Sequence, residues 1–336
     1  MTEEEMEHPP VNLPKVELHT HIEGAAQPDF IRQLAFEKKT DISGIFDARG
    51  AYKYNGFLEF LQVYEAATTV LKSPEDFRRL TLSVLENAAQ NGVIYMESFL
   101  SPEFCGGADV GAWNEYLHAI QDGAAEAEKK YGIAMRGVVT CIRHFGPDKA
   151  KLTAICAAET AGDFVTGFGM GGDENAGHQR DFLWAYDCAR EAGLGLTTHA
   201  GEWRGPQEVR DAIDDLKVTR IGHGVRCIED MRLVEHLAER EITLEVCPGS
   251  NVALGVFPDL KSHPIERLRA YGVKVTVSTD DPPFFHTTMQ QEYAGLTKTF
   301  GWDNRHFKEI TLNAVAAAFC DQATKDALTK RLEDAF

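Results

Sequence analysis

Four short stretches of this 336-residue chain hold side chains of the kinds that bind a metal and move protons. The first is Glu17-Leu18-His19-Thr20-His21. Two histidines at i and i+2 on a strand point to one face, roughly 6–7 Å apart at the backbone. That suits two imidazoles converging on one divalent ion, although His-x-His alone also occurs by accident on many surfaces. The second stretch is Thr197-Thr198-His199-Ala200-Gly201-Glu202, where small and apolar residues run into His, a tight Ala-Gly step and Glu. The third, Ile221-Gly222-His223-Gly224, flanks a histidine with glycines that let another group approach closely. The fourth is Ser278-Thr279-Asp280-Asp281-Pro282. Adjacent strand residues face opposite ways, so Asp280 and Asp281 are expected to have different tasks. Each stretch has a plain explanation by itself: His223 as a hydrogen-bonded core histidine, or the aspartates as a turn ahead of Pro282.

Together His19, His21, His199 and Asp280 offer three neutral nitrogens and one carboxylate. That set suits Zn²⁺, with Fe, Co or Mn as alternatives and Ca²⁺ or Mg²⁺ fitting less well. A further open position would hold water, whose pKa the ion lowers toward 7. Glu202 is then placed as general base toward that water and general acid toward a substrate. His223 could hold the attacking oxygen in position and stabilise charge in the transition state.

The elements that must position these residues read as alternating strands and helices. β-rich runs recur at Lys15–His21, Gly92–Leu100, Ile133–Ile142, Phe164–Gly172, Leu194–His199, Arg220–Val225, Ile242–Cys247 and Val273–Asp280. Between them lie segments with apolar residues at three- and four-residue spacing, such as Ala150–Ala161, Phe182–Ala192 and Met231–Glu239. Eight such strands predict an α/β fold with a parallel sheet, closed as a (β/α)₈ TIM barrel; a doubly wound open sheet is the competitor. In the barrel all four clusters fall on the C-terminal rim, where barrel enzymes build their sites. About 70 residues separate the first strand from the second, with helical patterning in Asp29–Glu37, Gly56–Val70 and Pro74–Gln90. The chain therefore reads as one barrel domain over residues 1–336 with a helical lid insertion at about residues 25–91.

Composition narrows the partners. The chain has 34 basic and 52 acidic side chains, a net charge of −18, which repels phosphate backbones and anionic membranes. Nucleic acid and membrane partners are not expected. No apolar run reaches the roughly 18–20 residues that a spanning helix needs. The amino terminus, Met1–Pro10, is acidic where a secretory signal would be basic. Seven scattered cysteines without a C-x-x-C point to reduced thiols and a cytoplasmic location. Gly167-Phe168-Gly169-Met170-Gly171-Gly172 formally matches G-x-G-x-x-G, but its glycines belong to a strand and run into Asp173-Glu174 instead of opening a helix. There is no G-x-x-x-x-G-K-[ST], G-x-S-x-G or H-E-x-x-H, and no H-x-E…P-C-x-x-C of the base-flipping zinc deaminases.

The ordered motifs resemble those of the adenosine deaminase family, within the amidohydrolase-type metal barrels. The resemblance runs from Leu13–His21 through Gly172-Asp173-Glu174, His199–Glu202 and Gly222-His223-Gly224 to Ser278–Pro282. It implies hydrolytic deamination of a small 6-aminopurine at one zinc ion, since no bridging lysine stands at the fourth strand end. By the match, His19, His21, His199 and Asp280 are the ligands, His21 also lies toward the substrate, and Glu202 protonates N1. His223 orients the nucleophile, Asp281 bonds N7, and the Gly172 N–H faces N3. Glu23 departs from the aspartate that adenosine deaminases usually carry there; it resembles adenine deaminases and some deaminases of modified adenosines. Gly172-Asp173-Glu174 instead looks like the nucleoside enzymes. Adenosine or a related nucleoside is thus the first expectation and adenine or a modified adenosine the alternative. A non-catalytic purine-binding barrel would lack a ligand or Glu202, and neither is missing. A metal hydrolase acting on an amide or ester in the same site is the third possibility.

Overall fold

The computed structural model describes residues 13–336, and the acidic segment Met1–Pro10 lies outside them. Nine parallel strands form two sheets that together make the barrel wall. The first sheet orders β1 (Lys15–His21), β2 (Val93–Leu100), β3 (Ala134–Ile142), β4 (Val165–Gly171) and β5 (Gly195–Leu196). The second orders β6 (His199–Ala200), β7 (Arg220–His223), β8 (Thr243–Val246) and β9 (Lys274–Val277). β5 and β6 are halves of the single strand expected at Leu194–His199. The ladder breaks between them at Thr197 and Thr198, where the Thr197 carbonyl accepts from the Tyr186 hydroxyl at 2.8 Å. Backbone hydrogen bonds still tie the halves to β4 and β7: Thr197 N to Phe168 O at 3.0 Å and Gly222 N to Thr198 O at 2.8 Å. At the other seam, Asp280 N donates to His19 O and His21 N to Asp280 O, both at 3.1 Å. The eight-strand (β/α)₈ reading of the sequence therefore holds, and the first and last strands meet where the histidines lie.

Burial of the strands is nearly complete, including polar side chains aimed into the barrel. Arg220 is the central case. Its guanidinium pairs with Glu97 and Glu245 at 2.6 Å each and lies 3.7 Å from the Phe319 ring centroid. A charge removed from water needs such partners, because leaving it unpaired costs several kcal/mol.

Three helices occupy the long first connection: α1 (Pro28–Lys38), α2 (Phe57–Thr68) and α3 (Pro74–Gln90). α3 starts with Pro74 at its first turn and a capping box in which Ser73 and Asp76 satisfy each other's backbone amides. Its Phe77, Leu80, Val84 and Ala88 repeat at three- and four-residue spacing and are buried. α2 follows Gly56, and its Phe57, Phe60, Leu61 and Tyr64 form a stripe along one face. That stripe faces the rim of the barrel rather than its flank. α4 (Val110–Tyr131), α5 (Pro147–Glu159), α6 (Leu183–Glu191), α7 (Pro206–Asp214), α8 (Met231–Glu239), α9 (Pro248–Ala253) and α10 (Ile265–Ala270) follow the later strands. α11 (Met289–Phe300), α12 (Asn304–Ala317) and α13 (Gln322–Glu333) end the chain. Among the described residues, no helix is long and apolar enough to cross a membrane.

Candidate active site

All four sequence clusters arrive at one rim. His19 and His21 end β1, His199 opens β6, and Asp280 lies just beyond β9; their donor atoms all lie within 4.8 Å of one another. Asp280 Oδ1 is 3.4 Å from His19 Nε2 and 3.3 Å from His21 Nε2, and the Nε2 atoms of His21 and His199 are 3.3 Å apart. The opposite ring nitrogens are already committed: His19 Nδ1 to Glu245 Oε2 at 2.7 Å, and His199 Nδ1 to the Met170 carbonyl at 2.8 Å. A carbonyl oxygen can only accept, so His199 Nδ1 carries the proton and its Nε2 presents a lone pair. His19 Nε2 is buried without any hydrogen-bond partner. Three such nitrogens facing one carboxylate fit a tetrahedral divalent ion, and those of His19 and His199 are oriented by the kind of outer contact that metal-binding histidines use. Burial lowers the pKa of His19, but Asp280 and Glu245 outweigh it and raise it to about 9, so a cation placed there would take a proton's role. Burial keeps His21 and His199 below their ordinary value, in the neutral form a ligand needs.

Asp280 and Asp281 have different neighbours, but pleat alternation is not the cause. β9 ends at Val277, and Asp280 takes a left-handed backbone with φ +66°, so both carboxylates line one cavity. His223 is also left-handed, with φ +59°. Non-glycine residues in this region store strain, and two of them side by side at a rim mark a site that packing holds in place. Ser250 Oγ donates to Asp280 Oδ2 at 2.7 Å, while Asp281 Oδ1 lies against Gly24 with no partner. A Cβ at Gly24 would come 1.6 Å from that oxygen, so only glycine fits.

Glu202 is buried, its Oε1 is unpartnered, and its Oε2 stands 3.7 Å from His223 Nε2. Burial, then Asp280 and Glu174, push its pKa well above the carboxylate range. A carboxyl whose pKa is raised above the ordinary range is suited to act as acid and base in turn. The loop that carries it is pinned by Glu174, whose carboxylate accepts from the backbone amides of Gly201, Trp203 (2.6 Å) and Arg204 (2.9 Å).

These residues floor a cavity at the rim. One wall is the aromatic stripe of α2, and the other is Thr140, Cys141, Ile142, Gly171 and Gly172. Gly172 has φ +97°, and a Cβ there would lie 2.7 Å from His144 Nδ1. Glu23 is buried behind Tyr64, whose hydroxyl donates to its Oε2 at 3.2 Å. Burial lifts the Glu23 pKa to about 7, and its Oε1 has no partner.

The sequence matches the family described as adenosine deaminase over residues 14–335. The chain belongs to the adenosine deaminase family. Among curated relatives, the adenine deaminases of Rhizobium leguminosarum bv. trifolii and Agrobacterium fabrum are each 45% identical, covering 96% of this chain and 99% of theirs. The crystal structure of adenine deaminase from Arthrobacter aurescens superposes with a TM-score of 0.88 at 29% identity, covering 96% of this chain and 98% of that one. A zinc-bound amidohydrolase from Burkhoderia ambifaria gives 0.83 at 28% identity, covering 96% and 91%. The chain is thus a hydrolytic deaminase, and hydrolysis of the C–N bond is the chemistry its rim must perform.

Several residues that shape this deaminase site escaped the sequence reading. Glu245 and Arg220 sit inside strands, where a lone charge reads as one polar face of an alternation. Ser250, Asn251 and His263 lie beyond β8 and touch Asp280, His223 and Asn251 respectively. Only Glu174 carried a signal, as the third member of the Gly-Asp-Glu motif.

Proposed function

We propose that this deaminase converts adenine to hypoxanthine with release of ammonia, at one zinc ion held by His19, His21, His199 and Asp280. The observation that carries the choice of free base is the buried Glu23, which accepts the hydroxyl of the cavity-lining Tyr64 at 3.2 Å; we take this pair to close the side of the purine from which a ribose would extend. The 45% identical adenine deaminases support the same choice over the nucleoside that the Gly-Asp-Glu motif favours.

A bound zinc ion would supply the Lewis acidity that makes hydroxide available near neutral pH. Water adds across the C6–N1 bond, its hydroxyl to C6 and one proton to N1, breaking the ring's aromaticity; the proton of that hydroxyl then passes to the C6 amino group, which leaves as ammonia as the C6 carbonyl forms. Glu202 takes the proton of the attacking water and delivers it to N1, a shuttle that its raised pKa allows at neutrality. His223 Nε2 lies 3.7 Å from Glu202 and 3.8 Å from Asp280, close enough to hold the oxygen between them. Burial, together with Asp280, Glu202 and Glu23, holds the Asp281 pKa well up, so a protonated Asp281 donates to N7. The Gly172 N–H faces N3, and Glu23 with Tyr64 closes the N9 side. Helices 25–91 act as the lid, with Phe57, Phe60 and Tyr64 excluding water from the ring faces. A cytoplasmic location fits seven unpaired thiols, five of them buried.

The test is ammonia release from adenine, adenosine, N6-methyladenine and N6-methyladenosine by zinc-loaded protein. Adenine is expected to have the highest kcat/KM. A higher value for adenosine would overturn the base assignment, and no turnover of any of the four would overturn the function.

A further inference from the structure

We propose that Asn251 and His263 form a polarised relay that fixes His223 as its Nε2–H tautomer, aiming its one ring proton between Glu202 and Asp280. What that proton is used for rests on the deaminase reading above; the tautomer itself does not.

The relay starts outside the site, at a donor whose direction is fixed. Ile265 opens α10, so its backbone N–H has no earlier helical carbonyl to reach. It donates instead to His263 Nδ1 at 3.2 Å. A backbone amide can only donate, so His263 Nδ1 must be bare. His263 is buried beside the Phe257 ring, and that burial lowers its pKa to about 3, so the ring is neutral with its proton on Nε2. Nε2 lies 3.1 Å from Asn251 Oδ1. The oxygen end of the Asn251 amide is thereby assigned, and its nitrogen end must face the other way.

That end, Nδ2, lies 3.2 Å from His223 Nδ1. An amide nitrogen donates and does not accept, so His223 Nδ1 is the acceptor and the ring's proton sits on Nε2. Which ring nitrogen of a histidine carries the proton is set by the bond the other one makes. Nε2 points at Glu202 Oε2, 3.7 Å away, and Asp280 Oδ2, 3.8 Å away. The opposite tautomer would turn a lone pair toward two carboxylates. Asn251, His263 and His223 are all buried, so no bulk water competes along the chain. One backbone N–H on α10 therefore sets the direction of every bond up to the rim. Asn251 and His263 touch no reacting atom; they are positioning residues.

The experiment uses zinc-loaded protein labelled with ¹⁵N-histidine, in which long-range ¹H–¹⁵N spectra separate protonated from bare ring nitrogens. His223 is assigned by its loss in His223→Gln. The expected result is a bare Nδ1 and protonated Nε2 at His223. Asn251→Asp keeps the shape but replaces the donor with an acceptor, so it should move a proton onto His223 Nδ1. It should also lower kcat for adenine about a hundredfold, with KM and zinc content within twofold, as losing one aimed donor does. A proton on Nδ1 in the unaltered protein, or an unchanged tautomer in Asn251→Asp, overturns the relay. Should Asn251→Asp not fold, His263→Gln and His263→Leu carry the test. Gln can still donate to Asn251 Oδ1 and should keep the tautomer and most turnover; Leu frees the amide to turn and should lose both. Equal effects of these two variants overturn the proposal. The spectra need no turnover, so failure of the adenine reading and failure of the relay remain separate results.

Discussion

Glu174→Gln isolates the device that aims the catalytic loop. The Glu174 carboxylate is buried, with Oε1 on the Gly201 amide and Oε2 on those of Trp203 (2.6 Å) and Arg204 (2.9 Å). A glutamine has the same shape but one accepting oxygen. If that oxygen keeps Trp203 and Arg204, the NH₂ group meets the Gly201 N–H, donor against donor. One charge-assisted bond is lost and one buried amide is left unsatisfied, worth about 1–3 kcal/mol. The loss falls on the loop that holds Glu202, three residues after His199 in the chain. His199 itself is anchored separately, on the Met170 carbonyl. The prediction is that kcat/KM for adenine falls about 5- to 150-fold, the equivalent of that energy, while zinc content stays within twofold. Steady-state kinetics on zinc-loaded protein, with metal counted by mass spectrometry, reads both quantities. A kcat/KM within twofold of the unaltered enzyme would refute the claim that Glu174 positions Glu202, and a loss of zinc would show that it serves the metal instead.

Further perturbations separate the remaining roles. Glu202→Gln should retain zinc and lose about 10²–10⁴ in kcat, because the proton shuttle goes while the ligands stay; turnover near that of the unaltered enzyme would count against the mechanism. Glu23→Asp should raise the adenosine-to-adenine ratio of kcat/KM by drawing the carboxylate back from Tyr64, and an unchanged ratio in a two-substrate assay would place sugar discrimination elsewhere. Glu292 is buried against Thr287 and the Gly249 amide, and burial raises its pKa from 4.5 to about 7. A carboxyl whose folded pKa is raised favours the fold when protonated, so its stabilisation is complete below about pH 4.5 and lost as pH rises through about 7. Glu292→Gln mimics the protonated acid and should make denaturant stability at pH 8 higher than the unaltered protein's, by up to about 3 kcal/mol, with little difference at pH 4.5. Equal stabilities at both pH values would show that the carboxyl titrates normally.

The legible part of this protein was the part with a period. Strands alternate every two residues and helices every three to four, so the barrel order, the long first insertion and the α3 boundaries could be read directly. His19 and His21 share a face by that same alternation. His199, Glu202, His223 and Asp280 stood out as candidates because each lies at or just beyond a strand of the sequence pattern, and a barrel gathers all strand ends on one rim. The local motif could not say which purine enters, because Glu23 acquires its meaning from Tyr64, a residue on a different element whose hydroxyl covers it.

What tertiary structure alone decided is the set of contacts made across large sequence separations. Glu245 orients His19 from 226 positions away, and Arg220 joins Glu245 to Glu97 across the barrel interior. The left-handed backbone at Asp280, which puts two adjacent aspartates into one cavity, overrides the alternation that the strand pattern implied. Residue types and spacing thus determined that the chain could hold a zinc ion beside a proton carrier, because ligand chemistry and strand period are local properties. Which nitrogen faces the metal, which tautomer faces the water and how much room the substrate finds depend on partners brought together only when the ring of strands closes.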